Sequence, residues 1–309
     1  MNTGLDLRQL RYFVCLAEEL HFGRAAERLG IAQAPLSQQI KAMEERLGVA
    51  LFHRTTRRTR LTAAGETLLS HARNLLDGMD RAVSHTRAMA GQSSGRLTIA
   101  GVNMAMTHVI PPILAEFRKQ WPAVIVDIRH LGTTEQLRVL GTGEVDVALI
   151  RPTDQAAFMQ VEALLLEGFV AALPKGHPLA AKNELTLSEI LEEPIIGYAP
   201  VLGTHYAILL REAFRRAGLT PRVVQECTHT TSVASQVASG LGLAVMPSWI
   251  RNIHSPYLEF RPVPELPCAI ELAMAWPRGE ASPMLRDFLD TTRRIVRQVA
   301  HEQGFALPA

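Results

Sequence analysis

The chain has 309 residues, of which 47% are hydrophobic and 20% charged, and its formal net charge at pH 7 is +2. This composition is ordinary for a soluble globular protein, and the length predicts two or three domains rather than one core. The sequence has no apolar run long enough to span a bilayer, and its N-terminus lacks the regions of a signal peptide. Three widely spaced cysteines indicate a reducing compartment and argue against a disulfide framework or a cysteine-based zinc site.

Residues 1–60 combine a helix-turn-helix pattern with an excess of basic residues, ten Lys and Arg against six Asp and Glu. A short helix ends near Leu29, and Gly30 supplies the permissive backbone of a tight turn. A second helix is predicted over residues 34–47, because one face carries the apolar residues Leu36, Ile40, Met43 and Leu47. Its start carries residues that we predict to contact bases or phosphates: Gln33, Pro35, Ser37, Gln38 and Lys41. The periodicity alone would also fit an ordinary amphipathic helix with a solvated polar face.

The heptad "RTTRRTR" follows this helix pair and contains four arginines, Arg54, Arg57, Arg58 and Arg60. The planar guanidinium group suits phosphate oxygens, and it stays charged at every physiological pH. A solvated loop would explain a charge run by itself. The position directly after a helix-turn-helix pattern favours a second contact with DNA.

The sequence resembles the LysR-type transcriptional regulators. The residues that carry the resemblance are Leu10, Phe13, Ala25, Ala26, Leu29, "AQAPLSQQIKAMEERLG" and "LFHRTTRRTRLTAAGE". It covers about the first 65 residues closely and the rest more loosely, and "LRQLRYFV" and "GFAL" are similar to the aromatic-compound-catabolism (muconate/benzoate-responsive) subgroup. Ala32 and Gln38 depart from the Ser and Arg that the family often has there, so its operator sequences do not transfer.

The resemblance implies a winged helix-turn-helix domain over residues 1–61. The helix over residues 34–47 would lie in the major groove, and the arginines would form a wing along the neighbouring backbone or minor groove. Apolar residues at near-heptad spacing predict a long helix over about 62–90, capped by Thr62. The resemblance makes residues 62–92 a linker helix that dimerises the DNA-binding domains. The alternative is a helix packed on its own effector domain, but "GQSSG" at 91–95 is typical of a flexible linker.

From Arg96 onward, strand and helix patterns alternate, which predicts a βαβαβ unit with a parallel sheet and then a second similar unit. We interpret residues 93–309 as an α/β effector domain of two Rossmann-like lobes of the periplasmic-binding-protein type. Residues 93–162 and 268–309 would form the first lobe, and residues 163–267 the second. The chain would then cross between the lobes twice.

Ligands of such sheets bind beyond the strand ends, where helix N-termini direct free N–H groups into the cleft. The residues predicted there are Asn103, Met104, Thr133, Arg151, Thr204, His205, Tyr206, His229 and Thr230. Helix capping would explain each hydroxyl singly, whereas their joint position at one cleft favours a site for a carboxylate or aromatic metabolite. The resemblance implies that residues 103–104, 133 and 204–206 line the inducer pocket.

No enzyme signature is present: the sequence lacks G-x-S-x-G, H-E-x-x-H and a complete dinucleotide fingerprint. We therefore expect no catalytic residue, metal or cofactor. The prediction is a cytoplasmic transcriptional regulator that binds double-stranded DNA as a dimer or a dimer of dimers and responds to a small-molecule inducer. RNA polymerase is a partner implied by the resemblance, and no membrane partner is expected. The alternative is a small-molecule receptor without regulatory DNA binding, against which residues 1–90 argue.

Overall fold

The computed structural model describes residues 4–54, 59–89, 95–199, 205–253, 255–266 and 270–308. The chain folds as two units, Met1–Arg87 and Ala88–Ala309. No helix among the described residues combines the length and the apolar character needed to cross a membrane.

The first unit is a winged helix-turn-helix domain followed by a long helix, as predicted. Its elements are α1 (Leu7–Glu19), α2 (Phe22–Arg28), α3 (Gln33–Leu47), β1 (Phe52–Arg54), β2 (Thr59–Leu61) and α4 (Ala63–Met89). The side chain of Asp6 caps α1 by accepting a hydrogen bond from the Gln9 amide at 2.7 Å. Gly30 and Gly48 take the left-handed conformation, with φ of 66° and 69°, and follow α2 and α3; the sequence predicts this turn at Gly30.

The core of the first unit joins the helices to the wing, the β1–β2 hairpin. The apolar stripe of α3 is fully buried at Leu36, Ile40 and Met43. Phe52 of β1 is buried against Phe13 of α1, with ring centroids 5.5 Å apart. Burial of these side chains holds the base of the wing against the helices.

Thr62 and Gly65 fasten the start of α4 to the segment that precedes β1. The Thr62 hydroxyl caps α4 by accepting from the Gly65 amide at 3.0 Å, and it donates to the Ala50 carbonyl at 2.7 Å. The Thr62 amide donates to the Leu51 carbonyl at 2.9 Å. A Cβ atom at position 65 would lie 2.2 Å from that same carbonyl oxygen, so only glycine fits there.

The second unit contains the remaining strands and helices. Its strands are β3 (Arg96–Gly101), β4 (Ile125–His130), β5 (Val147–Ile150), β6 (Met159–Glu167), β7 (Phe169–Pro174), β8 (Ile195–Tyr198), β9 (Val223–Cys227), β10 (Ala244–Pro247), β11 (Leu258–Pro262) and β12 (Ile270–Pro277). Its α-helices are α5 (Ile110–Gln120), α6 (Thr133–Gly141), α7 (Leu187–Leu191), α8 (His205–Arg216), α9 (Thr230–Ala238) and α10 (Pro283–Gln303).

The strands form two lobes, one with a five-stranded sheet and one with a three-stranded and a two-stranded sheet, which confirms the predicted architecture. The first lobe has strand order β4-β3-β5-β12-β6, and β3 is parallel to both β4 and β5, as the βαβαβ pattern requires. In the second lobe, β7 lies between β10 and β11, β8 pairs with β9, and a parallel bridge from Ile195 to Leu243 connects the two groups of strands.

Three details differ from the sequence prediction. The sheets are mixed rather than parallel, because β12 returns from the second lobe and runs antiparallel to β5 and β6, and β7 is antiparallel to β10 and β11. Strand β6 is absent from the prediction, and it carries the first lobe to Glu167, so the chain crosses at Gly168 rather than between residues 162 and 163. A π-helical turn, Ala105–Val109, precedes α5 and interrupts the simple alternation of strands and regular α-helices that the sequence predicts.

We predict that Gly65→Ala destabilises the first unit by about 1–3 kcal/mol, because the added methyl group meets backbone that cannot yield. This expected loss of stability is opposite in sign to the gain of about 1 kcal/mol that a Gly→Ala substitution inside a helix usually gives. Urea unfolding followed by far-ultraviolet circular dichroism measures the effect. Ser70→Ala, at an exposed position of the same helix, is the control and should change stability by less than about 0.5 kcal/mol. Equal stability of Gly65→Ala and wild type would contradict the close approach.

Candidate functional site

Helix α3 presents the predicted polar residues on the side opposite its buried stripe. Gln33, Pro35, Gln38 and Lys41 are exposed, and Ser37 is half-buried. Lys41 lies 3.6 Å from Glu45 in an exposed pair that contributes little to stability. The amide, hydroxyl and ammonium groups can therefore reach a surface laid against this face.

The N-terminus of α3 adds backbone donors to the same face. Ala32 occupies the N-cap position with no side-chain cap, and the first turn of the helix contains no acidic residue. The first N–H groups of a helix lack partners within it and carry partial positive charge. This end of α3 is therefore suited to a phosphate group.

The wing lies next in the chain. Its strands pair antiparallel, with His53 opposite Arg60 and Arg54 opposite Thr59, and Arg60 is exposed. Only the backbone of Arg54 is described, and Arg57 and Arg58 lie outside the described residues. Arg60 thus presents one guanidinium group of the predicted set on a short hairpin whose base is buried.

The second candidate site is centred on Arg151, which follows β5 and is only 3% exposed. Its backbone amide donates to the Thr133 hydroxyl at the start of α6, at 3.1 Å. Its Nη1 group donates to the Glu271 carbonyl of β12 at 3.0 Å, and its Nη2 group donates to the carboxylate of Glu167. A single arginine therefore bonds to the start of α6, to β12 and to Glu167 at the end of β6.

Glu167 lies at the crossing between the lobes and is fully buried. Its second carboxylate oxygen accepts from the Trp249 amide, which follows β10 of the second lobe, at 3.0 Å. Burial disfavours the charged guanidinium, but the neighbouring Tyr206 and Glu167 hold the pKa of Arg151 above its usual value. The ion pair therefore links the first lobe to the second at the point where the chain passes between them.

Aromatic side chains of the second lobe pack over this ion pair. The Arg151 guanidinium carbon lies 5.6 Å from the centre of the Tyr206 ring, and that ring is 5.7 Å from the ring of Tyr198. The Tyr198 hydroxyl faces the Thr230 hydroxyl at the start of α9, at 3.5 Å. Burial raises the pKa of Tyr198, against a smaller opposing effect of Thr230, so its hydroxyl stays protonated.

Three buried polar atoms have no well-formed hydrogen bond among the described residues, although the Tyr206 hydroxyl interacts with the side chains of Arg151 and Trp249. The three atoms are Arg151 Nε, Trp249 Nε1 and Gln136 Oε1, two donors and one acceptor. The amide nitrogen of Gln136 is satisfied by the Leu131 carbonyl at 2.7 Å. Unsatisfied buried polar groups are rare and costly, so a ligand or water that pairs with them would be stabilised there.

The other predicted cleft residues are placed less centrally. Met104 is fully buried in the apolar core, so packing accounts for its position, and Asn103 is half-buried in the turn before α5. His229 is exposed at the N-cap of α9. His205 begins α8 and is described by its backbone only, and Thr204 lies outside the described residues.

Sequence reasoning missed Glu167, Trp249 and Gln136. A signal for Glu167 was present, since it is the one acidic residue of the otherwise apolar run "ALLLEGFVAAL", and a buried carboxylate needs a partner.

No group of three or more potential metal ligands occurs within the described part of the chain. A separate groove of about 680 Å³ lies on the second lobe, lined by residues that include Leu209, Glu212 and Glu265.

Both units match established families. Residues 7–66 match the bacterial regulatory helix-turn-helix protein, lysR family, and residues 90–297 match the LysR substrate binding domain. The match to the helix-turn-helix family overturns the alternative of a small-molecule receptor without regulatory DNA binding.

Relatives and solved structures extend the match over the whole chain. The transcriptional regulator AlsR of Bacillus subtilis is 34% identical over 92% of this chain and 94% of its own length. The Hca operon transcriptional activator HcaR of Escherichia coli is 34% identical over 92% of this chain and 96% of its own length. The fold is that of the LysR-family regulator CbnR, with a TM-score of 0.73 and 24% identity over 94% of this chain and 99% of that one. The chain therefore belongs to the LysR family of DNA-binding transcriptional regulators that carry a small-molecule effector domain.

Proposed function

We propose that this regulator is switched by a small carboxylate or aromatic metabolite that binds between its lobes, around Arg151 and Thr230. The observation that carries the proposal is the buried polar cluster at the crossing, where Arg151 Nε and Trp249 Nε1 lack a well-formed hydrogen bond beside the ion pair with Glu167. Helix starts at Thr133 and Thr230 lack side-chain caps, which leaves N–H groups for a carboxylate.

The charge at this site limits the ligand. Glu167 already balances the charge of Arg151, so the two helix N-termini supply the remaining attraction for an anion. That weak positive potential suits one carboxylate rather than several. The rings of Tyr198 and Tyr206 supply an apolar and aromatic wall, which supports the aromatic-compound-catabolism subgroup as part of the proposal.

The DNA-binding part of the proposal assigns base contacts to Ser37 and Gln38 and phosphate contacts to the other polar residues of α3 and to the wing. The supporting observations are the exposed polar face of α3, its uncapped N-terminus and the exposed Arg60. Phosphate contacts give affinity for any duplex, and base contacts give preference for one sequence.

Assembly as a dimer or a dimer of dimers is supported by α4. Leu75, Met79 and Val83 follow one another at a spacing of four residues and are 57%, 43% and 38% exposed. A second copy of α4 laid along this stripe would bury it and pair two DNA-binding units. Ligand binding would change closure of the lobes and thereby the spacing of these pairs on DNA.

The remaining parts of the proposal follow from regulation of transcription. The protein acts in the cytoplasm, where its DNA site and metabolite are both present, and RNA polymerase is its functional partner. We assign no catalytic role, because the described contacts of Arg151 join it to Thr133, the Glu271 carbonyl and Glu167 and do not arrange a nucleophile with its base.

A thermal-shift screen of small aliphatic and aromatic carboxylates tests the ligand site. A compound that binds should raise Tm, and Tyr206→Leu should weaken its apparent affinity about tenfold, because the ring that covers Arg151 is lost. Tyr257→Leu, at an exposed position of the same lobe, is the control. Equal stabilisation of wild type and Tyr206→Leu by every compound that binds would contradict this site.

Substitutions in α3 and the wing should affect DNA binding in different ways. Arg60→Ala should weaken binding to all duplexes and reduce the slope of log K against log salt by about 1 per subunit, whereas Gln38→Ala should reduce preference for the selected sequence. Fluorescence anisotropy with a selected and a scrambled duplex, at two or more salt concentrations, separates the two effects. Arg286→Ala, an exposed position of the second unit, controls for net charge. If Arg60→Ala lost sequence preference while Gln38→Ala kept it, the assignment of phosphate contacts to Arg60 and base contacts to Gln38 would be reversed.

Charge placed in the exposed stripe of α4 should disrupt assembly. Leu75→Glu with Met79→Glu should shift the sedimentation coefficient toward the monomer, because like charges would face each other across two copies of the helix. Asp77→Ser, at an exposed position of the same helix, should leave assembly unchanged. An unaltered oligomer in the double variant would place the interface elsewhere.

A further inference from the structure

Glu44 is a half-buried carboxylate near the end of α3, on the helix that we assign to the major groove. The chain leaves α3 at Gly48 and enters the wing at Phe52, so a short connection determines how the two elements are oriented. Its backbone N–H groups need acceptors, because the segment is neither helix nor strand.

Glu44 supplies these acceptors. One oxygen of its carboxylate accepts from the Leu51 amide at 2.9 Å and from the Phe52 amide at 3.1 Å. Its backbone carbonyl accepts from the amides of Gly48 and Val49, the latter at 3.2 Å. One residue of α3 therefore binds four amides along the connection to the wing.

The opposite side of the connection is held by α4. The carbonyls of Ala50 and Leu51 accept from the hydroxyl and the amide of Thr62, and the Leu51 side chain is buried. The base of the wing thus has two polar anchors, Glu44 on α3 and Thr62 at the start of α4. Loss of the first would leave the wing attached but able to turn relative to α3.

We propose that Glu44 is a positioning residue that holds the wing at the angle at which Arg60 and α3 reach one duplex together. The inference rests on the proposed mode of DNA binding and concerns a residue that does not itself touch DNA. Charge repulsion alone makes the opposite prediction. A carboxylate on α3 opposes phosphate binding, so removing it should strengthen binding unless its hydrogen bonds position the wing.

The experiment compares Glu44→Ala with Glu44→Gln in the full-length chain. Both variants lose the negative charge, but only the glutamine side chain keeps an oxygen that can accept from both N–H groups. The probe is a random-sequence duplex of about 40 base pairs, followed by fluorescence anisotropy over a range of salt concentrations. Glu44→Ala should bind about tenfold more weakly, with a salt slope lower by about 1–2 per subunit, and Glu44→Gln should bind at least as well as wild type.

Two results would overturn the inference: equal affinities and salt slopes for Glu44→Ala and Glu44→Gln, or stronger binding by Glu44→Ala. Amide exchange in the wild-type protein provides a test that does not depend on folding of a variant. The Leu51 and Phe52 amides should be protected, and fast exchange at both would also overturn it. Failure of the wild-type chain to bind any duplex would instead contradict the proposed function, so the two failures are distinguishable.

Discussion

The ion pair between Arg151 and Glu167 is the interaction on which the effector domain depends most. Both groups are buried, and their desolvation is costly unless every polar atom is paired. The pair satisfies much of that need through Thr133, the Glu271 carbonyl and the Trp249 amide, which together belong to both lobes. A change in the polar surroundings of Arg151 therefore alters contacts at the crossing between the lobes. We infer that a ligand at this point couples binding to lobe closure.

The DNA-binding unit is organised differently. Its proposed DNA-contacting surface is small and exposed, and buried groups on the opposite side of α3 determine its geometry. The rotation of α3 about its axis is fixed by the buried side chains Leu36, Ile40 and Met43. The position at which α4 begins is fixed by Thr62 and Gly65. Short elements such as β1 and β2 have few contacts of their own, so their orientation depends on these anchors. A regulator needs that rigidity, because an error in angle would separate base contacts from phosphate contacts.

Local patterns predicted a large part of this structure. The stripe of α3, the cap at Thr62 and the parallel strands β3, β4 and β5 follow from periodicity, capping and alternation, which neighbouring residues determine. The antiparallel insertion of β12 between β5 and β6 could not be predicted in this way. It depends on pairing with strands more than a hundred residues earlier in the chain, which no local pattern encodes.

In the site around Arg151, too, local patterns predicted some residues, and residues that depend on distant parts of the chain were missed. Thr133, Arg151 and Thr230 were predicted because they lie at strand ends and helix starts, and the structure places each of them in buried polar contacts. Glu167 was missed, because its role depends on a crossing whose position the sequence did not reveal. Met104 has the right place in the chain but points into the core, since an apolar side chain beside β3 is stabilised most by burial.

Hydrogen–deuterium exchange of the full chain, with and without a compound that raises its Tm, would locate the ligand site. Protection by the ligand should be concentrated at the amides of the first turns of α6 and α9, because these uncapped donors line the proposed site. Protection confined to other regions, such as the groove lined by Leu209 and Glu212, would contradict a ligand site at the crossing between the lobes.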